Sequence, residues 1–223
     1  MAIFTKTPNC WGAIDIILCI IQARMSSTRL PGKVLKDLAG KPMLQWVIDA
    51  AKDSKLLDGV VVATSTMASD LPITEYCYKQ KIYCTTGPLD DVLARFYQTA
   101  VEWRPTHIVR LTADCPLLTG GLIDTVIRCY LNEGLEYIIN GIDGLDVEVF
   151  PYAELLRAHK LATGGECREH VTPFIRRYVG LLGQEVTFDN GRRDSFSVNT
   201  PEEFARMEGI LGGIKCSANP NHY

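Results

Sequence analysis

The sequence predicts a single α/β domain, from its length, from two alternating hydrophobic periods and from one continuous apolar run. The chain has 223 residues, which suits one α/β domain with a core of ordinary size. Short β-branched runs alternate with segments in which apolar residues recur every three or four positions, as in strands joined by helices. Because the first run is apolar from Ile16 to Ile21, we expect a mixed, mostly parallel sheet flanked by helices on both faces.

Short runs with strand composition recur along the chain. The first, IDIILCII at residues 14–21, has the continuous apolar pattern of a strand buried on both faces. LDVEVF at 145–150 alternates apolar and polar residues and could pair antiparallel. The other predicted strands are GVVVATS (59–65), KIYCTT (81–86), THIVRLT (106–112), EYIIN (136–140), QEVTF (184–188) and SFSV (195–198).

Helical stripes and helix-start signals lie between these runs. One stripe consists of Leu44, Val47, Ile48 and Ala51, and a second consists of Ile123, Val126, Ile127, Tyr130 and Leu131. Pro42 stands at a first-turn position, and Asp90 precedes the helical segment DVLARFYQTA. The segment TPEE at 200–203 is a capping box, which predicts that a helix begins at Thr200.

The ends of the chain are predicted to lie outside the folded domain. We expect residues 1–12 to be a leader, 13–212 the domain and 213–223 a C-terminal tail. Lys6 and the apolar run after it have the outline of a signal peptide, but Asp15 interrupts the run and Arg24 follows without a small-residue cleavage pattern. The run is also too short to span a bilayer. A buried first strand is therefore the favoured interpretation, and we expect no membrane association.

Charge and cysteine usage argue against several classes of protein. A formal net charge of -3 gives no general basic face, which argues against a nucleic-acid binder. The 8 cysteines include no C-x-x-C pair and no metal-type spacing, so neither a zinc site nor a disulfide framework is predicted. Reduced thiols in the cytoplasm are the expected state.

A basic loop follows the first strand, in the segment IIQARMSSTRLPGKVLKDLAGKPM at 20–43. It carries Arg24, Arg29 and Lys33, with hydroxyl residues and a glycine between them. In parallel sheets, ligands bind beyond the carboxyl ends of strands where the strand order reverses. Several cations and nearby backbone N–H groups suit a polyphosphate there, although the P-loop pattern is absent. The alternative is a solvated basic turn.

Several segments together resemble a known family, the cytidylyltransferase-like proteins of the spore coat polysaccharide biosynthesis type. This family is related to the cytidylyltransferases that make CMP-Kdo and CMP-acylneuraminate. The resemblance extends over residues 16–210 and rests on QARMSSTRLPGKVLKDLAGKPM, VVATS, DDVLARFYQTA, VRLTADCPLL, GLDVEVF, REHVTPFI and NTPEEF.

The resemblance implies a nucleotide-diphospho-sugar transferase (GT-A-like) fold and a Mg²⁺-dependent transfer from CTP, or another NTP, to a sugar acceptor with release of pyrophosphate. A homodimer is one oligomeric state that we keep open. The implied catalytic residues are Arg24, Lys33, Asp114 and Asp146. The implied nucleotide-binding residues are Gln22, Ala23, Arg24, Arg29, Lys33, Asp91 and Arg95.

Asp114, in RLTADCPL, is the expected metal ligand. An aspartate at a strand end is often only a turn former, but the resemblance singles it out, and Mg²⁺ is usually held by one or two carboxylates plus substrate phosphates. The family usually has a second aspartate before TPE, where this chain has Asn199. Because an amide oxygen carries no charge, we expect Asn199 to be a weaker second ligand.

Further candidate residues have a structural alternative. Asp91 and Arg95 could contact base or ribose, or could cap a helix and form a buried ion pair. The resemblance implies an acceptor pocket built from Asp146, Glu148, Arg168 and His170. Asp146 and Glu148 lie two apart, on one side of a predicted strand, and could instead face solvent on an edge strand, while His170 could be structural.

Other function classes stay open at this point. A glycosyltransferase on the same fold would normally carry an Asp-x-Asp metal motif at a strand end, which TADCP is not. A non-catalytic nucleotide-binding relative is the third alternative, and Asn199 is the feature that favours it.

Overall fold

A seven-stranded sheet forms the centre of the computed structural model, which describes residues 15–181, 185–187 and 195–217. A two-stranded ribbon lies beside it. In chain order the strands are β1 (Ile17–Gln22), β2 (Asp37–Leu38), β3 (Lys41–Pro42), β4 (Gly59–Ser65), β5 (Tyr83–Gly87), β6 (His107–Thr112), β7 (Tyr137–Ile139), β8 (Glu148–Pro151) and β9 (Glu185–Thr187). Strands β2 and β3 form the ribbon, and the others form the sheet.

The strand order of the large sheet is β5-β4-β1-β6-β8-β7-β9. The first four strands in this order are parallel, and β7 is parallel to β9. Strand β8 pairs antiparallel with both of its neighbours, β6 and β7. The predicted mixed, mostly parallel sheet is therefore confirmed, and so is the antiparallel pairing of LDVEVF.

Helices cover both faces of the sheet. They are α1 (Met43–Asp53), α2 (Leu71–Lys79), α3 (Val92–Trp103), α4 (Gly120–Asn132), α5 (Tyr152–Leu161), α6 (Gly165–His170), α7 (Pro173–Leu181) and α8 (Pro201–Ser217). Alternate side chains of β1 point to opposite faces. Ile17, Cys19 and Ile21 pack with α1, α2, α4 and α8, whereas Leu18 and Ile20 pack with α3, α5, α6 and α7. This two-sided burial explains why β1 is apolar from Ile17 to Ile21.

The predicted helical stripes are largely confirmed. All four residues of the first stripe are buried in α1. In the second stripe Leu131 is the exception: it is 43% exposed, because it lies at the edge of the stripe in the last turn of α4.

The predicted helix starts agree with the structure to within one residue, and Pro42 precedes α1 as its N-cap instead of lying in its first turn. The capping box of α8 is confirmed, since Glu203 N–H donates to Thr200 Oγ1 at 3.2 Å and Thr200 N–H donates to Glu203 Oε2 at 3.0 Å. Helix α3 is capped by Asp91 rather than Asp90: the Asp91 carboxylate accepts a hydrogen bond from Ala94 N–H at 2.9 Å.

The predicted strand SFSV is wrong. Residues 195–198 have no strand pairing and instead dock through isolated backbone bonds, from Phe196 N–H to Asp143 O at 2.9 Å and from Val198 N–H to Asp114 O at 3.0 Å. Gly144 allows this close approach, because a Cβ at this position would lie 1.9 Å from Ser197 N. The segment has strand-like composition, but it contacts loops rather than a sheet edge.

Of the two predicted domain limits, the structure describes only the one near the C-terminus. The proposed leader, residues 1–12, lies outside the described residues. Helix α8 continues to Ser217, beyond the predicted domain end at 212. Within residues 15–181, 185–187 and 195–217, no helix is long and apolar enough to cross a membrane.

Candidate active site

A cleft of about 280 Å³ lies beyond the carboxyl ends of β1 and β6. Strand β1 pairs with β4 on one side and with β6 on the other, so the strand order reverses at this point, where α/β sheets bind ligands. The lining residues are Gln22, Ala23, Arg24, Ser27, Thr28, Arg29, Lys33, Val34, Val92, Arg95, Thr112, Ala113, Asp114, Glu169, His170 and Asn199.

The basic loop after β1 folds back on itself at one side of this cleft. Met25 O accepts hydrogen bonds from Ser27 N–H and Gly32 N–H, both at 2.9 Å. Gly32 has φ of 70°, a left-handed conformation that glycine adopts without strain. Leu30 and Val34 are buried and anchor the loop to the core. As a result, all three basic residues of the predicted phosphate loop line the cleft.

Asp70, which sequence reasoning missed, holds this loop in place. Its side chain is fully buried. Its carboxylate accepts hydrogen bonds from Met25 N–H at 2.7 Å, from Ser65 N–H at 3.2 Å and from Ser65 Oγ. The carboxylate thus joins the basic loop to the end of β4. In the sequence, Asp70 before a Leu-Pro pair looks like an ordinary helix cap, yet its side chain makes no capping hydrogen bond to α2.

We expect Asp70→Asn to lower both nucleotide affinity and stability. An amide has one acceptor oxygen where the carboxylate has two, so at least one charge-assisted hydrogen bond is lost, with a cost of about 1.5–3 kcal/mol in the free energy of unfolding. Urea unfolding and calorimetric titration with CTP measure the two effects. Asp49→Asn, in a more exposed ion pair with Lys41, is the matched control. Equal behaviour of the two variants would contradict the anchoring role.

Lys33 forms the floor of the cleft and is only 7% exposed. Its Nζ donates to Asp114 Oδ2 at 2.7 Å, to Asn199 Oδ1 at 3.0 Å and to Val198 O at 2.7 Å. An ammonium group has three donors, so these acceptors satisfy all of them. The structure therefore places the Lys33 ammonium between the two predicted metal ligands.

The Asp114 carboxyl is held in its charged form. Burial by itself would raise its pKa, but the positive charge and hydrogen bond of Lys33, together with a hydrogen bond from Thr112, bring the pKa below its usual value. Asp114 Oδ2 is bound to Lys33, and Oδ1 lies 3.9 Å from Cys115 Sγ.

Asn199 is oriented by two neighbours. Its backbone N–H donates to Glu203 Oε2 at 2.7 Å, and its Nδ2 donates to Ser197 Oγ at 2.9 Å. These bonds leave Oδ1 to accept from Lys33. Ser197 and Lys33 therefore set the orientation of the side-chain amide, and the glutamate of the α8 capping box holds the backbone.

The oxygen atoms of Asp114 and Asn199 suit a divalent cation only when other groups supply most of its ligands. Mg²⁺ binds oxygen ligands, usually one or two carboxylates plus substrate phosphates. Asp114 offers one carboxylate, and Asn199 offers a neutral oxygen that is already bonded to Lys33. No cluster of three or more His, Cys, Asp or Glu suited to a metal occurs in the part of the chain that the structure describes. These residues fit a cation that receives most of its ligands from a bound phosphate compound.

Gln22 is held at the cleft by a buried ion pair that the sequence did not reveal. Arg110 Nε donates to Gln22 Oε1 at 3.2 Å, and Arg110 also pairs with Glu148. Glu148 is 4% exposed and accepts a further hydrogen bond from Tyr137 OH at 2.8 Å. Strand β8 is an interior strand, so Glu148 does not face solvent at a sheet edge. Its contacts are structural, and it does not line the cleft.

Arg95 lines the cleft although it is 2% exposed. Its Nε and Nη2 donate to Pro88 O at 3.1 and 2.7 Å, and Nη2 also donates to Leu89 O at 2.8 Å. Burial is the main cause of the lowered pKa of this guanidinium. Arg95 thus fixes the loop before α3 through carbonyl groups rather than through an ion pair with an acid.

Asp91 and Arg168 bind each other instead of lining the cleft. The Arg168 guanidinium pairs with Asp91, with Nε at 3.0 Å from Oδ2, and its Nη1 donates to His159 O at 3.0 Å. The same aspartate caps α3. This arrangement links α3 to α5 and α6, and leaves Arg168 engaged with structural partners.

Of the predicted acceptor residues, His170 lines the cleft and the others do not. The residue after it, Val171, is buried with φ of 69°, which is unusual for a β-branched side chain. Asp146 Oδ2 accepts a hydrogen bond from Gly144 N–H at 3.0 Å. Burial, opposed by this bond and reinforced by the negative charge of Glu148, raises the pKa of Asp146.

The structure thus brings together most of the predicted site residues and separates four from them. Those that share the cleft are Gln22, Ala23, Arg24, Arg29, Lys33, Arg95, Asp114, His170 and Asn199. Those that do not line it are Asp91, Asp146, Glu148 and Arg168. The ligand-binding roles of both groups stay predictions.

The fold and the cleft define an α/β protein with a cationic loop and a strand-end carboxylate facing each other at the switch point of its sheet. A family model described as Cytidylyltransferase matches residues 18–209. The chain belongs to the cytidylyltransferase family, and is therefore a nucleotidyltransferase.

Two relatives in this family match most of the chain. The chain is 36% identical to the spore coat polysaccharide biosynthesis protein SpsF of Bacillus subtilis, with 74% of this chain and 72% of SpsF covered. It is 33% identical to the 3-deoxy-manno-octulosonate cytidylyltransferase of Bdellovibrio bacteriovorus, with 87% and 97% covered.

The fold also matches a solved structure, that of a cytidylyltransferase from Leptospira borgpetersenii, with a TM-score of 0.78 at 24% identity. That match covers 94% of this chain and 99% of the other. It shows that the two share the nucleotide-sugar transferase fold, as the sequence predicts.

Proposed function

We propose that the protein transfers the cytidylyl group of CTP to an oxygen of an acidic sugar and releases pyrophosphate, as a step that activates the sugar for polysaccharide biosynthesis. The observation that carries this proposal is the cleft at the switch point, with three basic residues of one loop on one side and Asp114 on the other. The sugar class is supported by the relatives, which include a 3-deoxy-manno-octulosonate cytidylyltransferase and SpsF.

The basic loop suits the triphosphate. Arg24 and Arg29 are exposed at the cleft, where their guanidinium groups can each give two parallel hydrogen bonds to phosphate oxygens. Gln22 lines the cleft, and its Oε1 accepts from Arg110, which leaves Nε2 as the donor end of the amide. This supports a role for Nε2 as a donor toward base or ribose.

The reaction itself needs little covalent chemistry from the protein. An acceptor oxygen attacks the α-phosphorus in line, a new P–O bond forms, and the bond to the pyrophosphate oxygen breaks. The acceptor proton passes to a base, a role for which Asp146 stays a prediction because it does not line the cleft of the free protein. Positioning of the two substrates and neutralisation of phosphate charge supply most of the rate enhancement.

A divalent metal would be held by Asp114, with Asn199 beside it. Enzymes of this kind commonly use such a metal. When bound, it supplies charge neutralisation at the phosphate oxygens and polarises the α-phosphoryl group. Lys33, adjacent to both residues, adds a fixed positive charge at the same place.

The experiment that tests the proposal is a pyrophosphate-release assay. The protein is incubated with each of the four NTPs, Mg²⁺ and a panel of acidic and neutral sugars. A parallel incubation contains a nucleotide sugar in place of the NTP. Release with CTP and an acidic sugar supports the proposal. Release of free nucleotide from a nucleotide sugar, without pyrophosphate, identifies a glycosyltransferase, and binding of CTP without turnover on any sugar identifies a non-catalytic relative.

We expect Arg29→Ala to weaken CTP binding more than Arg24→Ala does. Each lost charge-assisted hydrogen bond costs about 1.5–3 kcal/mol, or about tenfold or more in affinity. Arg24 lies 3.7 Å from Glu169, so part of its charge is already neutralised in the free protein, whereas Arg29 has no ion-pair partner within the described ranges. Calorimetric titration with CTP measures both, and Lys79→Ala on the exposed end of α2 is the control. Unchanged CTP affinity in both arginine variants would contradict the phosphate-loop assignment.

A further inference from the structure

The charges around Lys33 balance in the free protein. The ammonium contributes one positive charge, Asp114 one negative charge and Asn199 none, and the ammonium lies within hydrogen-bond distance of both side chains. Lys33 is buried and all three of its donors are used. This cluster is therefore a closed, neutral unit whose cation is a side chain.

A second cation would meet an unfavourable environment in this cluster. A divalent ion beside Asp114 would be repelled by the ammonium, which binds the same carboxylate. In addition, Asn199 Oδ1 already accepts a hydrogen bond from Lys33, and the amide carries no negative charge that would attract the ion. A metal that arrives on a triphosphate differs, because its phosphate oxygens supply most of its ligands and most of the opposing charge. Asp114 would then supply a further oxygen ligand.

We propose that Lys33 is the built-in cation of this site, so that the free protein holds no divalent metal at Asp114 and the metal enters together with the nucleotide. Position 199 determines this order, because an aspartate there would give the cluster a net negative charge. The inference rests on the proposed function in one respect, namely that CTP is the nucleotide with which the metal enters.

The test uses Mn²⁺ as an oxygen-binding probe and the full-length protein. The relaxation rate of water protons rises when Mn²⁺ is bound to a slowly tumbling protein, so it separates protein-bound Mn²⁺ from the free ion and from Mn²⁺ on CTP. Without nucleotide, we expect Asn199→Asp to bind Mn²⁺ at least about tenfold more tightly than the wild-type protein does. With CTP, we expect the enhancement to appear in the wild-type protein as well.

Two further variants test whether the effect depends on the position of the added charge and on the Lys33 ammonium. Asn132→Asp adds the same charge at an exposed residue in the last turn of α4, and should bind Mn²⁺ like the wild-type protein. Lys33→Met removes the ammonium and should tighten nucleotide-free Mn²⁺ binding. Because Lys33 is buried, the thermal unfolding of Lys33→Met is measured first. If this variant does not fold, the nearly isosteric Asn199→Asp variant alone decides the inference.

The inference is overturned if the nucleotide-free wild-type protein binds Mn²⁺ as tightly as Asn199→Asp, or if Asn132→Asp tightens binding equally. Failure of the proposed function has a different signature, namely that calorimetry detects no CTP binding to any variant. In that case the comparison of Mn²⁺ binding without nucleotide still decides the role of Lys33.

Discussion

Asp114→Asn is expected to lower kcat for nucleotidyl transfer at least about a hundredfold, the effect of removing one preorganised electrostatic group from an active site. The carboxylate lies two residues beyond the end of β6 and lines the cleft, and its Oδ2 binds Lys33. An asparagine keeps an oxygen that can accept from Lys33, so the fold persists. The lost charge costs about 1.5–3 kcal/mol of stability.

The measurements are steady-state pyrophosphate release and thermal unfolding. Asp53→Asn, an exposed carboxylate at the end of α1 in a surface pair with Lys55, is the control and should keep full activity. An Asp114→Asn variant that retained more than a tenth of the wild-type kcat would place the catalytic carboxylate elsewhere.

Glu148→Gln is expected to reduce the free energy of unfolding by about 3–5 kcal/mol, the cost of breaking one partner of a buried ion pair. Arg110 would keep its charge in a site where its side chain is 11% exposed, without its present counter-ion. Tyr137 OH would also lose a charged acceptor. Since Arg110 also holds Gln22, weaker CTP binding should accompany the loss of stability.

Urea unfolding and CTP titration measure these two effects. Asp49→Asn removes a charge from the more exposed pair with Lys41, and should cost no more than about 1 kcal/mol. If Glu148→Gln unfolded at the same urea concentration as this control, the buried pair would not stabilise the sheet. A loss of stability without any change in CTP affinity would show that Gln22 does not depend on Arg110.

Much of the fold could be predicted because its signals are local. A strand that is apolar throughout requires cover on both faces, and β1 has it. The position of the cleft followed from a topological rule applied to one basic loop and one strand-end aspartate. SFSV failed because strand composition says nothing about whether a sheet edge is available.

The contacts between distant residues could not be predicted, because nothing in the sequence pairs them. The sequence is compatible with Glu148 as an acceptor ligand or as a solvent-facing charge, and its partner Arg110 lies on β6, the neighbouring strand. Arg168 is a similar case, since its partner Asp91 is 77 positions away. Asp70 gave no signal at all, because an aspartate before a helix normally caps it.

The three bonds of Lys33 also determine when the site can form. They join it to residues 81, 165 and 166 positions further along the chain. Contacts of such large sequence separation carry a loop-closure cost that must be met before they stabilise anything, so they form late in folding. During synthesis the basic loop and Asp114 leave the ribosome well before Asn199. A nascent chain can therefore build the parallel half of its sheet while Lys33 still lacks two of its three acceptors, and the cleft is completed only when the segment before α8 docks.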